Sequence, residues 1–118
     1  SQPWSYGDEE AEPDFFEEAM QEYCYSFYSI GSETSREAFR RISEKLSGIY
    51  PSNPEFVNNI GSYYLLKHDY KTALKYYNKV LKKHPGDMTA IQNALLAAKH
   101  MKNAKLEKKY QAMMAKNN

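Results

Sequence analysis

Apolar side chains recur along this chain three and four residues apart, with polar residues between them, the pattern of helices that bury one face. Phe16, Met20, Tyr23, Phe27 and Ile30 form the first such stripe, and Phe39, Ile42, Leu46 and Ile49 the second. Ile91, Ala94, Leu95, Ala98 and Met101 are the inner residues of a later helix, and Leu106, Tyr110 and Met113 mark the last. Start and stop residues frame them. Asp14 with Glu17 makes a capping box for the first helix, which Gly31 ends. Thr34 with Glu37 reads as a second capping box, and its helix stops before Pro51. Asn53 caps a third helix with Pro54 at its first position, running to about Lys67. The tight turn His68-Asp69-Tyr70 leads into a fourth, capped by Asp69 and ending near His84, just before Pro85 and Gly86. Asp87 caps a fifth, and a sixth spans about Ala104 to Lys116 with Asn103 near its start. Six helices at this spacing predict an all-α domain of three helical hairpins over about 14–51, 54–85 and 88–116. Residues 1–13 lack helical periodicity and carry Pro3, Gly7 and Pro13, so an extended acidic arm is expected there. Trp4 and Tyr6 are unusual in it, because disordered tails are poor in aromatics.

The middle hairpin carries a more specific signal. Val57-x-x-Ile60-Gly61-x-x-Tyr64 is followed by Ala73-x-x-x-Tyr77 and closed by Pro85, and Pro51 precedes Pro85 by 34 residues. This stretch resembles one tetratricopeptide repeat, a helix–turn–helix unit of that length. The resemblance implies a right-handed α-solenoid in which Gly61 and Ala73 are small where the two helices cross, with Tyr64 and Tyr77 filling the space beside them. The family usually places a glycine where this chain has His68, which implies a positive φ at that residue. The outer hairpins depart from the pattern: Ser26 or Phe27 falls at the glycine site of the first, and Leu95 and Glu107 replace glycine and alanine in the third. Degenerate end units are expected of a short array, since they cap it.

With 118 residues the chain is expected to be one domain, and its single Cys24 excludes an internal disulfide and any cysteine metal cluster. No apolar run approaches the about 18 residues of a membrane span. A soluble protein is expected, in the cytoplasm or outside it after signal removal; a start at Ser1 without Met suits a processed chain or a piece of a longer one. The net charge of +1 hides an asymmetry. Residues 1–35 hold nine acids and no Lys or Arg, whereas residues 36–118 hold sixteen bases and six acids, a balance of +10. Such a dipole can hold the two ends of a small solenoid together or attract a charged partner, with two solvated surfaces of opposite sign the favoured reading; self-association through the N-terminal arm is a further outcome the sequence allows.

Catalytic chemistry is not expected. His68, His84 and His100 have no His or Cys one helical turn away, no Glu-x-x-His pair exists, and no glycine-rich phosphate loop is present, so neither metal nor cofactor is implied. Cys24 lies beside Met20 and Phe27 and reads as a buried, inert thiol. Lys71, Lys75, Lys79 and Lys82 form a stripe on the fourth helix, extended by Lys99, Lys102, Lys105, Lys108 and Lys109. Only Arg36, Arg40 and Arg41 supply guanidinium, all on the second helix, so a solvated convex face is favoured and nucleic acid is not an expected partner.

The resemblance places function in a concave groove lined by the first helix of each hairpin, which holds a segment of a protein partner. Carried onto this sequence, the groove positions are Glu55, Asn58, Asn59, Ser62, Leu65 and Leu66 from the third helix. Thr89, Gln92, Asn93, Leu96, Lys99 and His100 follow from the fifth, with Tyr25 and Tyr28 as additions from the first. Asn59 matches the middle position of the carboxylate clamp found in chaperone-binding members, but the lysines and the arginine of that clamp are missing, so a C-terminal carboxylate is not the expected ligand. The expectation is a non-catalytic interaction module. The alternatives are an accessory or scaffold domain of a larger enzyme or cell-envelope protein, and an anionic-polymer or membrane-surface binder acting through the lysine faces.

Overall fold

The computed structural model describes residues 15–118, and among them every regular element is an α-helix. The six are α1 (Phe15–Ile30), α2 (Glu33–Ile49), α3 (Pro54–Leu66), α4 (Tyr70–Lys83), α5 (Met88–His100) and α6 (Ala104–Lys116). The expected cap at Asp14 and the arm over residues 1–13 lie outside the described residues.

Local chemistry sets most of the boundaries. Asn53, Asp69, Asp87 and Asn103 each accept a backbone N–H of the first turn through the side-chain oxygen, satisfying donors that the helix leaves unpaired. Gly31 ends α1 with φ +78°, and His68 turns α3 into α4 with φ +62°, as the turn between those helices requires. Lys102 adopts the same left-handed conformation, φ 55°, at the end of α5, which nothing in its side chain announces. One cap differs from expectation. Ser32, not Thr34, caps α2, accepting from Ser35 N at 3.1 Å, while the Ser35 hydroxyl returns a bond to the Ser32 carbonyl at 2.9 Å. That reciprocal pair draws Glu33 and Thr34 into the first turn.

Each helix packs on the next in the chain, and α3 also reaches α5. Contacts mainly between consecutive helices build an elongated body: the principal extents are 59 × 36 × 19 Å and the radius of gyration is 16.4 Å. A compact domain of this length would measure about 13 Å. One core joins α4, α5 and α6 through Tyr77, Val80, Ile91, Ala94 and Tyr110. A second joins α1, α2 and α3 through Cys24, Phe39, Leu46, Phe56 and Tyr63, and Tyr64 packs on both. Asn53 braces the N-terminal half, since its Nδ2 donates to Glu17 Oε2 at 2.5 Å and to Gln21 Oε1 at 3.1 Å while its Oδ1 caps α3.

The face that α1 buries is a correction to the sequence stripe. Cys24 is fully buried, with Met20, Phe27 and Tyr28 packed around it, whereas Phe16 and Ile30 are each 68% exposed and Tyr23 is 49% exposed. On α2, Ile49 is likewise exposed, and Ser35 and Ser43 take buried positions beside Phe39 and Leu46. The residue facing Gly61 is Tyr77: a Cβ at Gly61 would lie 2.8 Å from Tyr77 Cε1 and 2.9 Å from its Cζ. Tyr77 is fully buried, and its hydroxyl is hydrogen-bonded to Ser62 Oγ at 2.9 Å, so helices α3 and α4 meet with the tyrosine ring against the glycine.

Candidate binding cleft

Side chains from α3 and α5 converge on an open cleft of about 430 Å³ lined by Tyr28, Ser62, Leu65, Leu66, His68, Tyr70, Asn93, Leu96 and His100. A second depression of about 250 Å³ shares Tyr28 and Ser62 with it and adds Tyr25, Phe39, Glu55, Asn58, Asn59 and Thr89. Together they run along one side of the molecule. Short turns bring α3 and α5 side by side across α4, so their residues three, four and seven apart face the same channel.

The residues expected in the groove divide by what they are already doing. Leu65 is half-buried against the core, Leu66 forms part of the floor, and Leu96 stands 43% exposed at the rim. Ser62 lies at the junction of the two depressions with its hydroxyl on Tyr77. Asn93 lines the larger cleft with its carboxamide available. Asn59 donates through Nδ2 to Ser43 Oγ at 3.2 Å, and Ser43 in turn donates to Cys24 Sγ at 3.8 Å, which leaves the Asn59 carbonyl for an incoming donor. Asn58 is different. It is buried, and its Nδ2 reaches Asp87 Oδ1 at 3.2 Å, so its amide group ties α3 to the cap of α5. Gln92 and Lys99 are exposed on α5 but line neither depression.

The sequence reading missed His68 and Tyr70 as lining residues and did not foresee the wall they build with His100. His68 Nδ1 lies 2.8 Å from the Tyr70 hydroxyl, and the Tyr70 ring stacks on His100 with centroids 5.0 Å apart and planes within 2°. The signal was present in the pair His68-x-Tyr70 at the turn, but only the fold brings His100 to it from α5.

The larger cleft is lined without any Asp, Glu, Lys or Arg. Glu55 brings a carboxylate to the smaller depression, while other charges nearby pair with one another. Arg40 is held by Glu37 at 3.3 Å and Glu44 at 2.5 Å and sits over the Tyr63 ring. The Tyr63 hydroxyl donates to Glu37, a bond that holds the Glu37 carboxyl below its ordinary range and pushes the Tyr63 phenol up. Lys71, Lys75, Lys79 and Lys82 are all exposed along α4. Among the described residues no group of three or more His, Cys, Asp or Glu is placed to hold a metal ion, and no helix is long and apolar enough to cross a membrane. No protein-family model and no curated protein sequence matches this chain.

Proposed function

We propose that this chain is a tetratricopeptide-type solenoid of three helical hairpins that acts as a non-catalytic protein-interaction module, holding a segment of a partner polypeptide in the cleft between α3 and α5. The observation that carries the reading is the convergence of Ser62, Leu65, Leu66, Asn93 and Leu96 from two helices on one open, uncharged channel. Consecutive helix packing, the elongated shape and the glycine-on-tyrosine contact between α3 and α4 support the repeat architecture. The chemistry suits a peptide. Leu66 and Leu96 offer apolar surface to a side chain, Asn93 can donate to and accept from an extended backbone, and the Asn59 carbonyl can accept a second N–H. His68, Tyr70 and His100 line the same cleft and give it an aromatic surface for stacking.

Interfaces concentrate their energy in a few central groups that lose water completely. Replacing Leu66 and Leu96 with Ser should abolish capture of the partner from its native extract, with helicity and melting temperature nearly intact. Lys79→Glu on the opposite face should leave capture unchanged. The reverse pattern would move the binding surface to the lysines and favour an anionic partner, whose binding would also collapse with added salt.

A further inference from the structure

The row of helices has two ends, and α1 packs principally on α2 as α6 packs principally on α5. Each terminal helix therefore keeps a flank that the inner helices have covered. On α1 that flank is apolar. Tyr23 and Ile30 are 49% and 68% exposed, and their separation of seven residues puts them on one side of the helix, with exposed Ala19 and Ser26 on the same side. Exposed Glu18 and Glu22 border it, and α1 contains no base. On α6 the flank away from buried Tyr110 carries exposed Lys105, Lys108 and Lys116 around exposed Ala112 and Ala115, with Glu107 the sole acid of the helix.

Charge decides what can cover α1. Two α1 helices face to face would set carboxylates against carboxylates. Residues 1–13 add Asp8, Glu9, Glu10 and Glu12 and no base, so they share its sign. The complement of α1 within this sequence is the lysine flank of α6, which its own geometry places at the opposite end of the row. The geometry points to head-to-tail self-association: the α1 flank of one molecule docks on the α6 flank of the next, independently of the cleft. Tyr23 and Ile30 lie over Ala112 and the aliphatic stems of Lys105 and Lys108, whose ammonium groups meet Glu18 and Glu22. Such a contact joins two different surfaces, so it does not stop at a dimer: successive molecules add until the chain stays open or closes into a ring.

Sedimentation velocity on the full chain at low salt should show a mass that climbs past the dimer as concentration rises. Added salt that shortens the screening length from about 10 Å to about 3 Å should weaken association by about tenfold or more. Tyr23→Ser with Ile30→Ser spoils one flank, and Lys105→Glu with Lys108→Glu spoils the other. Each double variant alone should be monomeric, and their equimolar mixture should form a dimer that grows no further, because the pair retains one intact flank of each kind. A wild-type chain that stays monomeric at every concentration would overturn the proposal, leaving α1 to be covered by residues 1–14 or by another protein. So would a lysine variant that still dimerises alone, the mark of a symmetric α1 contact, or a mixture that fails to pair.

Discussion

Gly61 and Gly48 both sit inside helices, yet their surroundings assign opposite outcomes to the same substitution. A Cβ at Gly48 meets nothing within 4 Å, so Gly48→Ala should stabilise the protein by up to about 1 kcal/mol through lower backbone entropy in the unfolded chain. A Cβ at Gly61 presses on the Tyr77 ring, which is buried and fixed by Ser62 and cannot swing aside, so Gly61→Ala should cost about 1–3 kcal/mol. Chemical denaturation of the two variants checks both signs. Tyr77 itself links stability to pH. Burial, only partly offset by the hydrogen bond with Ser62, pushes its phenol up to about 12. The raised folded value means its contribution is complete below the ordinary phenol value of about 10 and is lost as pH rises through 12, on the order of 2–3 kcal/mol in all. Tyr77→Phe keeps the ring and removes the ionisation. Its unfolding free energy should therefore fall less steeply above pH 10 than that of the wild type, and identical slopes would refute this assignment.

Helix by helix, the readable features are those that depend on neighbours in sequence. Asn53, Asp69, Asp87 and Asn103 announce their helices because a cap needs only a short polar side chain before the first turn. The Thr34 reading failed because Ser32 offers an equally good hydroxyl two residues earlier and Ser35 completes its bonding. The face of α1 failed for another reason. Its sequence contains two overlapping stripes, one through Tyr23 and one through Cys24, that share Met20 and Phe27; only contact with α2 and α3 selects the second. Asp87 shows how a cap becomes more than local. Its carboxylate accepts from Ala90 N at 2.9 Å and from buried Asn58 at 3.2 Å. Asp87→Ala should cost about 2–4 kcal/mol, one part for the cap and one for an Asn58 amide left buried without its acceptor. Asn103→Ala, which removes a cap alone, should cost about 1 kcal/mol. A denaturant double-mutant cycle of Asn58→Ala and Asp87→Ala should be clearly sub-additive.

At the scale of the molecule, an all-α row of six helices could be read from periodicity and punctuation, and so could most of the cleft. Leu66, Asn93 and Leu96 line it as the repeat resemblance implied, because positions that recur every turn on α3 and α5 must share a side once those helices lie abreast. Gln92 and Lys99 did not follow, being exposed on α5 but lining neither depression, and the tie of Asn58 to Asp87 cannot be seen without the third dimension. Cys24 joins these scales in a practical way. It is the sole cysteine of the sequence and is fully buried under α2, and burial raises its thiol above the ordinary value even though Ser43 bonds to the sulfur. A thiol reagent can reach it only when α1 lifts away, a motion that gives up far less packing than unfolding the whole row. Labelling in native buffer should accordingly run faster than global unfolding allows, and its rate should respond to Asn53→Ala, which cuts the tie to Glu17 and Gln21, but not to Asn103→Ala at the far end. The chain thus carries its own stopwatch for the loosening of its first helix.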